Sequence, residues 1–507
     1  ERIAQLQALK EIAYKVIGFI SQFEDELVKI WNKPKFVRNS HYILTLDHFI
    51  KKERIDLLEA LFAHEGMATQ MGEWVELGMI DSDMEPKALL RQITTTDLTG
   101  EHLHPEWLTL PLETKHFSDL EIQLLSIFDD LDDDLDGWLV HSENYQAINT
   151  LQKKFIDQIK VIYIDPPFNT SASEIIYQNS FKQSSWASLI HDRISLSNRM
   201  LSKDGIICVA IDDFEYASIK FILNRIFNQD NHLATVTVRS NPHGRAMAAG
   251  FSQNHEYSIY YQKSKHAEVG RLPRDDKQLE RYPHKDEFGN FTWMNFRTTG
   301  ANSRRIDRPK LFYSVYVSQN GDVRIVNMEW DEQKQIWEPK EEPKSSETVV
   351  YPIDSDNNER VWNLGWHRAQ KTAKKVLFGK FVNNEWQIYR KYRPNEEGAL
   401  PNTWWDDAKY SATESGTKII KSLFGNRETF DYPKSVYLVE DSIRATNLQD
   451  NEVVLDYFAG SGTTAHAVMN LNREDGGSRK YILVEMGDHF NDVILPRIKK
   501  VAFHSKW

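Results

Sequence analysis

Short apolar runs that end in turns constrain the fold of this chain more than any other feature. Such runs lie at 161–164, 206–211, 235–238 and 257–261, and again at 453–457 and 481–485. Runs of this length with helical segments between them are typical of buried strands in an α/β sheet. An irregular stretch rich in Trp, Tyr, Asn, Arg and Lys separates the two sets. The sequence therefore predicts one α/β core that is split by an insertion.

Charge and periodicity set the domain boundaries. Residues 1–136 hold 13 Lys and Arg against 27 Asp and Glu, a net charge of −14, whereas the other 371 residues carry +2. Leu57, Leu58, Leu61 and Phe62 recur there at helical spacing. We predict a mainly helical, acidic N-terminal segment at 1–136, the first half of the core at 137–264, the insertion at 265–400 and the second half of the core at 401–507.

The total charge and the cysteine content restrict the partners and the compartment. The whole chain carries −12, so any contact with nucleic acid must use a local basic face. The single cysteine, Cys208, cannot form an internal disulfide, and no run approaches the ~18 apolar residues of a membrane span. These features favour a cytoplasmic protein without a membrane partner.

The first chemical motif is a strand that runs into two prolines, Asp165-Pro166-Pro167-Phe168. Proline lacks an N–H and fixes φ, so the chain must leave the sheet in a stiff loop at the strand's carboxyl end, where α/β sheets bind ligands. A carboxylate and carbonyl acceptors can take both protons of an exocyclic amine while Phe168 stacks on a flat base. For this motif alone, a strand that ends in a rigid turn explains the residues equally well.

The second motif is a strand, a glycine turn and the start of a helix, with Asp456, Phe458, Gly460, Gly462 and Thr463 in order. Glycines let the backbone approach a ligand closely, and the N–H groups of the following turn attract negative charge. Glu485 ends the next strand, where an acidic side chain can accept ribose hydroxyls. The segment predicts a nucleoside site, although it also fits the loose dinucleotide fingerprint G-x-G-x-x-A.

Taken together, the two motifs resemble those of a known family. Asp165 to Phe168 is similar to the catalytic D-P-P-[YF] motif of DNA amino-methyltransferases, and Phe458 to Gly462 is similar to their S-adenosylmethionine motif. The order, with the catalytic motif first, matches the β class of that family. Stretches at 31–36, 136–145, 165–170, 205–213, 255–257 and 430–434 resemble the modification subunit of type III restriction–modification systems.

The resemblance implies a Rossmann-like core split by an inserted target-recognition domain, and site-specific methylation of adenine N6 in duplex DNA with S-adenosylmethionine as cofactor. It assigns Asp165 and the Pro166 carbonyl to the two N6 protons and Phe168 to stacking on a flipped base. The residues implied for cofactor binding are Asp456, Phe458, Gly460, Gly462, Thr463 and Glu485, with Phe430, Pro433 and Lys434 walling the pocket. It also implies a homodimer and a separate restriction subunit that carries the ATPase and the nuclease.

DNA contacts are expected in the insertion. Residues 359–394 hold nine Lys and Arg against two Glu, interleaved with Trp and Tyr, which suits phosphate attraction and stacking. A second basic cluster lies at 265–310. The candidates are Arg304, Arg305, Lys374, Lys375, Lys391 and Arg393. A solvated basic face is the alternative for each cluster.

The sequence leaves several other functions open. Asp at position 165 favours adenine, since cytosine-N4 enzymes of the family more often have Ser there. The alternatives are a stand-alone DNA amino-methyltransferase acting on adenine or cytosine N4, a DNA-specificity subunit that does not methylate, and a nicotinamide oxidoreductase. The run from Asp132 to Glu143 matches the spacing of a calcium loop. Because the same letters lie within a stretch that resembles the family, we predict no metal.

Overall fold

The chain folds into two compact units, Glu1–Arg271 with Leu400–Trp507 and Leu272–Ala399. The computed structural model describes residues 5, 7, 9–18, 37, 39–52, 54–81, 84–97, 100–169, 183–246, 250–395, 397–425 and 430–504. Stretch 31–36 and Thr170, which carry part of the resemblance, lie outside these residues. None of the helices in the described ranges has both the length and the apolar character that crossing a bilayer requires.

The N-terminal part of the first unit combines short helices with two small antiparallel ladders. Residues 9–18 are helical, and the other helical elements are Asp47–Lys51, Ile55–Ala63, Met67–Glu76, Pro86–Ile93, Pro105–Trp107, Thr114–His116, Glu121–Leu125 and Leu131–Asp134. Strand Ile43–Thr45 pairs with Pro111–Glu113, and Thr94–Asp97 pairs with Gly100–Leu103. The periodic Leu57, Leu58, Leu61 and Phe62 lie on one helix and are buried in a core of their own. The sequence pattern did not indicate the two ladders.

The rest of the first unit is built on an eight-stranded sheet. In chain order its strands are β1 (Gly137–His141), β2 (Ile159–Ile164), β3 (Leu201–Ile211), β4 (His232–Val238), β5 (Glu256–Gln262), β6 (Trp404–Trp405), β7 (Val453–Asp456) and β8 (Lys480–Glu485). All six runs that the sequence indicated as strands are strands of this sheet. The α/β fold prediction is confirmed.

The strand order is β6-β4-β5-β3-β2-β7-β8-β1. Neighbouring strands are parallel except that β5 is antiparallel to both β3 and β4. The carboxyl ends of β2, β3, β7 and β8 and the amino end of β5 therefore lie at one edge of the sheet. Because β2 and β7 are direct neighbours, the two motifs that follow them in the sequence meet at that edge.

Helices flank the sheet and bury its apolar residues. They are Asn144–Leu151, Gln183–Ser197, Tyr216–Phe227, Lys418–Phe424, Val436–Arg444, Thr463–Asp475 and Leu495–Phe503, with single turns at Gln229–Asn231, Ala408–Tyr410, Thr413–Thr417 and Phe490–Ile494. A short hairpin pairs Arg245–Ala246 with Ser252–Gln253. Every residue of β2 is buried, as expected for a strand covered on both faces.

The second unit, Leu272–Ala399, is mostly antiparallel β structure. Its four-stranded sheet has the order His284–Asp286, Gly289–Asn295, Glu385–Tyr392, Leu377–Val382. The other elements are strands Val315–Ser318, Val323–Arg324, Met328–Asp331, Ile336–Pro339 and Glu347–Val350, helices Asp276–Leu279 and Trp366–Val376, and turns Arg305–Asp307 and Pro309–Leu311. The unit has its own core, in which the Trp362 indole donates to the Tyr313 carbonyl. The predicted insertion, 265–400, begins seven residues before this unit, since residues 265–271 belong to the first one.

Candidate active site

The Asp165–Phe168 loop leaves the sheet directly after β2. Pro166 is buried, and Asp165, Pro167 and Phe168 are partly buried. The indole N–H of Trp186, on the following helix, donates to the Pro167 carbonyl at 2.8 Å and so anchors the loop. No described residue donates a hydrogen bond to the Pro166 carbonyl, which we predicted to accept one of the two N6 protons. Trp186 therefore holds the loop through the Pro167 carbonyl, while the Pro166 carbonyl has no donor among the described residues.

Lys434 lies at the centre of the loop's polar contacts. Its Nζ is 3.3 Å from Oδ1 of Asp165 and donates to Oε2 of Glu256 at 2.8 Å. The same ammonium lies 4.5 Å from the centre of the Phe168 ring. Burial disfavours the ammonium, but the carboxylates of Asp165 and Glu256 outweigh this effect and raise the pKa of Lys434. Lys434 was predicted as a wall of the cofactor pocket. Its ammonium contacts Asp165 and Phe168 of the catalytic motif and also Glu256.

Burial controls the protonation of Asp165. Loss of contact with water is the largest cause, and it raises the pKa of this carboxyl to about 6. The ammonium of Lys434 lowers the pKa, whereas the carboxylates of Glu256 and Asp212 raise it. Asp212 follows β3 at the same edge, and burial also raises its pKa to about 6. A carboxylate with such a pKa can both accept and release a proton near neutral pH. The position suits a general base.

The glycine loop after β7 is fixed by Asp456. One oxygen of this buried carboxylate accepts from the backbone N–H of Phe458 at 3.0 Å, and the other accepts from the Thr464 hydroxyl at 2.5 Å. Burial raises the pKa of Asp456 to about 7. Gly460 and Gly462 both have positive φ, 53° and 79°, which the tight turn into helix Thr463–Asp475 requires.

Glu485 connects the glycine loop to the next strand. Its Oε2 accepts from the Gly460 N–H at 2.9 Å, while Oε1 accepts from the N–H groups of Met486 and Gly487 at 2.8 and 2.9 Å. The side chain is buried at the end of β8. The carboxylate that the sequence assigned to the ribose thus also sets the shape of the loop.

Phe430 and Arg497 enclose the loop from two sides. A Cβ placed on Gly460 would lie 3.4 Å from the Phe430 ring, which is van der Waals contact, so Phe430 packs against this turn. The fully buried Arg497 donates to the Ser461 carbonyl at 3.0 Å and to the Thr463 hydroxyl at 3.1 Å. Burial lowers the pKa of Arg497 to about 9.

The comparisons with known proteins agree with this geometry. A family model described as DNA methylase matches residues 159–495. This chain is a member of the DNA methylase family. It is 34% identical over 355 residues to the type II methyltransferase M.KpnI of Klebsiella pneumoniae, covering 68% of this chain and 79% of that protein. It is 28% identical over 389 residues to the type III restriction-modification enzyme EcoPI Mod subunit of Escherichia phage P1, covering 70% of this chain and 58% of that protein.

The chain spans only 50% to 59% of the length of the type III Mod subunits that it matches. Among solved structures, a complex titled M1.HpyAVI-SAM aligns at 13% identity and a TM-score of 0.31, covering 71% of this chain and 99% of that one. The family match confirms the predictions of a DNA methyltransferase and of S-adenosylmethionine as its cofactor.

The residues of the methylase fit S-adenosylmethionine. Gly460 and Gly462 leave the backbone of the turn without side chains, and the buried Glu485 places a carboxylate at the end of the adjacent strand. The N–H groups at the start of helix Thr463–Asp475 suit the carboxylate of the cofactor. Phe458 and Thr463 are both buried in the same loop. The loop after β7 therefore brings together seven of the predicted cofactor residues: Phe430, Asp456, Phe458, Gly460, Gly462, Thr463 and Glu485.

The six basic residues predicted for DNA contact form three sets within the second unit. Arg304 pairs with Asp307 at 3.2 Å, and Arg305 pairs with Glu359 at 2.9 Å. Lys391 and Arg393 share Asp286 at 2.6 and 2.7 Å and lower its pKa. Lys374 and Lys375 lie in the last turn of helix Trp366–Val376 without a carboxylate within 4 Å in the described chain. The last pair thus carries the least compensated charge.

Glu256 and Arg497 are functional-site candidates that the sequence reasoning missed. Glu256 entered the sequence analysis only within the stretch 255–257 that resembles the family, and its partner Lys434 is 178 residues away. Arg497 lies in an amphipathic helix near the end of the chain, 36 residues from Ser461. A carboxylate at the first position of a largely buried strand is the one signal that the sequence offered for Glu256.

Two groups of acidic side chains have the spacing of metal ligands, but lysine and arginine side chains of the protein already pair with their carboxylates. Glu73, Glu113 and His116 bring ligand atoms within 4.8 Å of one another, but Lys115 and Lys499 each pair with both carboxylates. In the calcium-like stretch, Glu143 pairs with Arg193 at 2.5 Å and Asp132 pairs with Lys154. These carboxylates already have partners of opposite charge, which favours a structural role.

Proposed function

We propose that this DNA methylase transfers a methyl group from S-adenosylmethionine to N6 of adenine at specific sites in duplex DNA. The observation that carries the proposal is the pairing of β2 with β7, which brings Asp165 and the glycine loop to one edge of the sheet. A base-binding motif and a nucleoside-binding loop in adjacent positions are what methyl transfer between two bound reactants requires.

The reaction needs positioning and one proton acceptor. Bound S-adenosylmethionine supplies a methyl group on a sulfonium: the C–S bond breaks with its electron pair left on sulfur while the N6 lone pair forms the new N–C bond. Asp165 and the Pro166 carbonyl accept hydrogen bonds from the two N6 protons and aim the lone pair. Asp165 then takes one of these protons, and its pKa of about 6 leaves the carboxylate ionised for that task near pH 7.

The target base must leave the duplex to reach this site. Flipping costs a few kcal/mol, which contacts in the pocket must offset. Phe168 offers a partly buried ring beside Asp165 for stacking. Asp at position 165 favours adenine over cytosine within this family, and the chain has no Ser there.

DNA binding is assigned to the second unit as its target-recognition domain. Lys374 and Lys375 offer uncompensated charge, while Lys380 lies 4.7 Å from the ring centre of Trp293 and Lys391 lies 4.8 Å from that of Phe291. Basic side chains interleaved with aromatic rings suit a phosphate backbone. Arg304 and Arg305 are further DNA-contact candidates of the same unit, although each pairs with a carboxylate, Asp307 and Glu359.

We further propose that the methylase is the modification subunit of a type III restriction–modification system. Similarity to the EcoPI and StyLTI Mod subunits supports this assignment, at 28% and 27% identity. In this role the methylase forms a homodimer and binds a restriction subunit that carries the ATPase and the nuclease. It acts on DNA in the cytoplasm. Light scattering of the purified protein, alone and mixed with the restriction subunit, measures both assemblies.

A stand-alone methyltransferase is the second candidate. The chain covers 79% of the type II methyltransferase M.KpnI but only 58% of the EcoPI Mod subunit. The genes next to the methylase gene distinguish the two candidates. A type III restriction gene there supports the modification subunit, and its absence supports the stand-alone enzyme.

Sequencing that reports modified bases tests the proposed function. DNA from a host with the gene should carry N6-methyladenine at one sequence motif that is unmodified in the same host without the gene. N4-methylcytosine at that motif would change the substrate to cytosine. Identical modification in both hosts would contradict the proposal.

A further inference from the structure

Arg497 carries a buried charge next to the proposed cofactor loop. The residue lies on helix Leu495–Phe503 and is fully buried. Its Nη1 donates to the Ser461 carbonyl at 3.0 Å, to the Ser461 hydroxyl at 2.9 Å and to the Thr463 hydroxyl at 3.1 Å. Because Ser461 and Thr463 flank Gly462 in the sequence, this one nitrogen contacts both sides of the turn that leads into helix Thr463–Asp475.

The other nitrogens of the guanidinium contact His466, which lies in the first turns of the same helix. Nε and Nη2 of Arg497 are 3.3 and 3.2 Å from Nδ1 of this buried imidazole. A guanidinium can only donate hydrogen bonds, so Nδ1 is the acceptor and the imidazole is not in its charged form. The acceptors that the described residues offer to Arg497 are therefore all uncharged groups.

Arg497 differs in this respect from another buried arginine of the same unit. A buried cation is usually paired with a carboxylate, because removing a charge from water is costly. Arg193 follows this rule, since its Nη2 pairs with Glu143 at 2.5 Å. In the described part of the chain Arg497 has no carboxylate within 4 Å, and burial lowers its pKa to about 9. An anion that binds at the loop would offset the charge of Arg497.

The cofactor loop therefore has two ends of opposite charge. At one end the Glu485 carboxylate accepts from the Gly460 N–H at 2.9 Å, and at the other end Arg497 donates to Ser461 and Thr463. The N–H groups at the start of helix Thr463–Asp475 add positive charge at the second end. S-adenosylmethionine has a matching arrangement, because its ribose hydroxyls donate hydrogen bonds and its only anionic group is the carboxylate of its amino-acid portion.

We propose that Arg497 makes the cofactor loop selective for the carboxylate of S-adenosylmethionine. It is a positioning residue: its hydrogen bonds hold Ser461 and Thr463 in place, and its charge attracts the carboxylate across the turn. The inference rests on the proposed function, since it concerns the cofactor of that reaction. It assigns the carboxylate and the ribose of the cofactor to opposite ends of one loop.

The test compares two ligands that differ only in the carboxylate, S-adenosylmethionine and decarboxylated S-adenosylmethionine. Calorimetry with the complete chain at physiological salt gives a Kd for each ligand, and the ratio of the two Kd values measures the preference for the carboxylate. We expect the wild type to bind S-adenosylmethionine at least about 10-fold more tightly than the decarboxylated ligand. Equal binding of the two ligands by the wild type would overturn the proposal.

The decisive variant is Arg497→Gln, which keeps hydrogen-bond donors at this position but removes the charge. We expect the preference for the carboxylate to fall about 10-fold, because the Kd for S-adenosylmethionine rises and that for the decarboxylated ligand changes little. A residue that only supports the shape of the loop would weaken the binding of both ligands alike. An unchanged preference in Arg497→Gln would therefore overturn the proposal.

Arg497→Lys tests the same claim from the opposite side. Lysine keeps the charge but replaces the planar fork of donors by a single ammonium. We expect the binding of both ligands to weaken while the preference for the carboxylate stays near the wild-type value. A lost preference in Arg497→Lys would overturn the proposal, and this variant decides the question by itself if Arg497→Gln does not fold.

Two control variants remove a charge elsewhere in the same unit. Arg473 lies in the last turn of helix Thr463–Asp475, at the far end from the loop, and donates to the Ala502 carbonyl at 3.3 Å. Glu440 is a buried glutamate that accepts from Asn470 at 2.8 Å. We expect Arg473→Gln and Glu440→Gln to keep the wild-type preference. A preference that falls as much in either control as in Arg497→Gln would overturn the specific role of Arg497.

Binding by the wild type distinguishes the inference from the function on which it rests. A wild type that binds S-adenosylmethionine and transfers methyl, with an unchanged preference in Arg497→Gln, refutes the role of Arg497 and leaves the proposed function intact. A wild type that binds neither ligand refutes the proposed function and the inference together.

Discussion

The backbone N–H of Gly460 donates a hydrogen bond of 2.9 Å to Oε2 of Glu485. Gly460 belongs to the loop after β7, and Glu485 ends β8, the neighbouring parallel strand. The same carboxylate also accepts from the N–H groups of Met486 and Gly487. One buried side chain therefore holds the shape of the proposed cofactor loop and offers its charge at the position proposed for the ribose.

Replacing Glu485 should weaken cofactor binding. In Glu485→Gln the amide N–H₂ faces backbone N–H donors, so hydrogen bonds to a charged acceptor are lost at about 1.5–3 kcal/mol each. We expect the Kd for S-adenosylmethionine, measured by calorimetry, to rise roughly 10-fold to 100-fold. Glu440→Gln serves as the control with unchanged affinity. An unchanged Kd in Glu485→Gln would remove Glu485 from the cofactor site.

The Asp456–Thr464 hydrogen bond should stabilise the glycine loop. Thr464→Val leaves a buried oxygen of Asp456 without its 2.5 Å donor, which should cost about 1–3 kcal/mol and lower the Tm. Thr150 also lies in a helix and its hydroxyl donates to the exposed Gln146 carbonyl, so Thr150→Val should change stability by less than about 0.5 kcal/mol. Equal Tm values for the two variants would contradict a stabilising role for the pair.

The rate of methyl transfer should fall in acid. Asp165 accepts a proton only as a carboxylate, and with a pKa of about 6 it is protonated below that pH. The single-turnover rate should therefore be constant above pH 7 and fall about tenfold per pH unit below 6. Asp212 also has a pKa raised to about 6, so Asp212→Asn is the control in which the acid limb should persist. A rate that stays constant from pH 8 to 5 would exclude Asp165 as the acceptor.

Charge on the second unit should govern the salt dependence of DNA binding. Neutralising Lys374 and Lys375 together should reduce the slope of log K against log salt by roughly 2, measured by fluorescence anisotropy. Lys334→Ala with Lys340→Ala is the matched control, because these lysines pair with Asp331, Glu338 and Glu329. If both double variants keep the wild-type slope, DNA binds elsewhere.

The sequence predicted the part of the fold that depends on local pattern. All six runs became strands of one sheet. Four of them are buried at every residue, as expected for strands covered on both faces, whereas 235–238 alternates between partly buried and buried residues. Two strands of the sheet were missed. β1 has only partly buried or exposed residues, and β6 is two residues long, so neither forms a fully apolar run.

The site was predictable where a motif follows a strand and not where it depends on distant pairing. Asp165 and the glycine loop follow strands that could be located from sequence. Glu256 and Arg497 act through contacts 178 and 36 residues away, which no local pattern reports. The family resemblance assigned Lys434 to the wall of the cofactor pocket, but its pairing with Asp165 and Glu256 was not visible in the sequence.

The most direct test of the account is transfer of labelled methyl from S-adenosylmethionine to duplex DNA by the wild-type protein and by Asp165→Ala, followed by analysis of the modified nucleosides. The account predicts that the label appears in N6-methyladenine with the wild type, and that Asp165→Ala binds cofactor and DNA normally but transfers nothing detectable. Transfer by Asp165→Ala at a rate near that of the wild type would contradict the central claim.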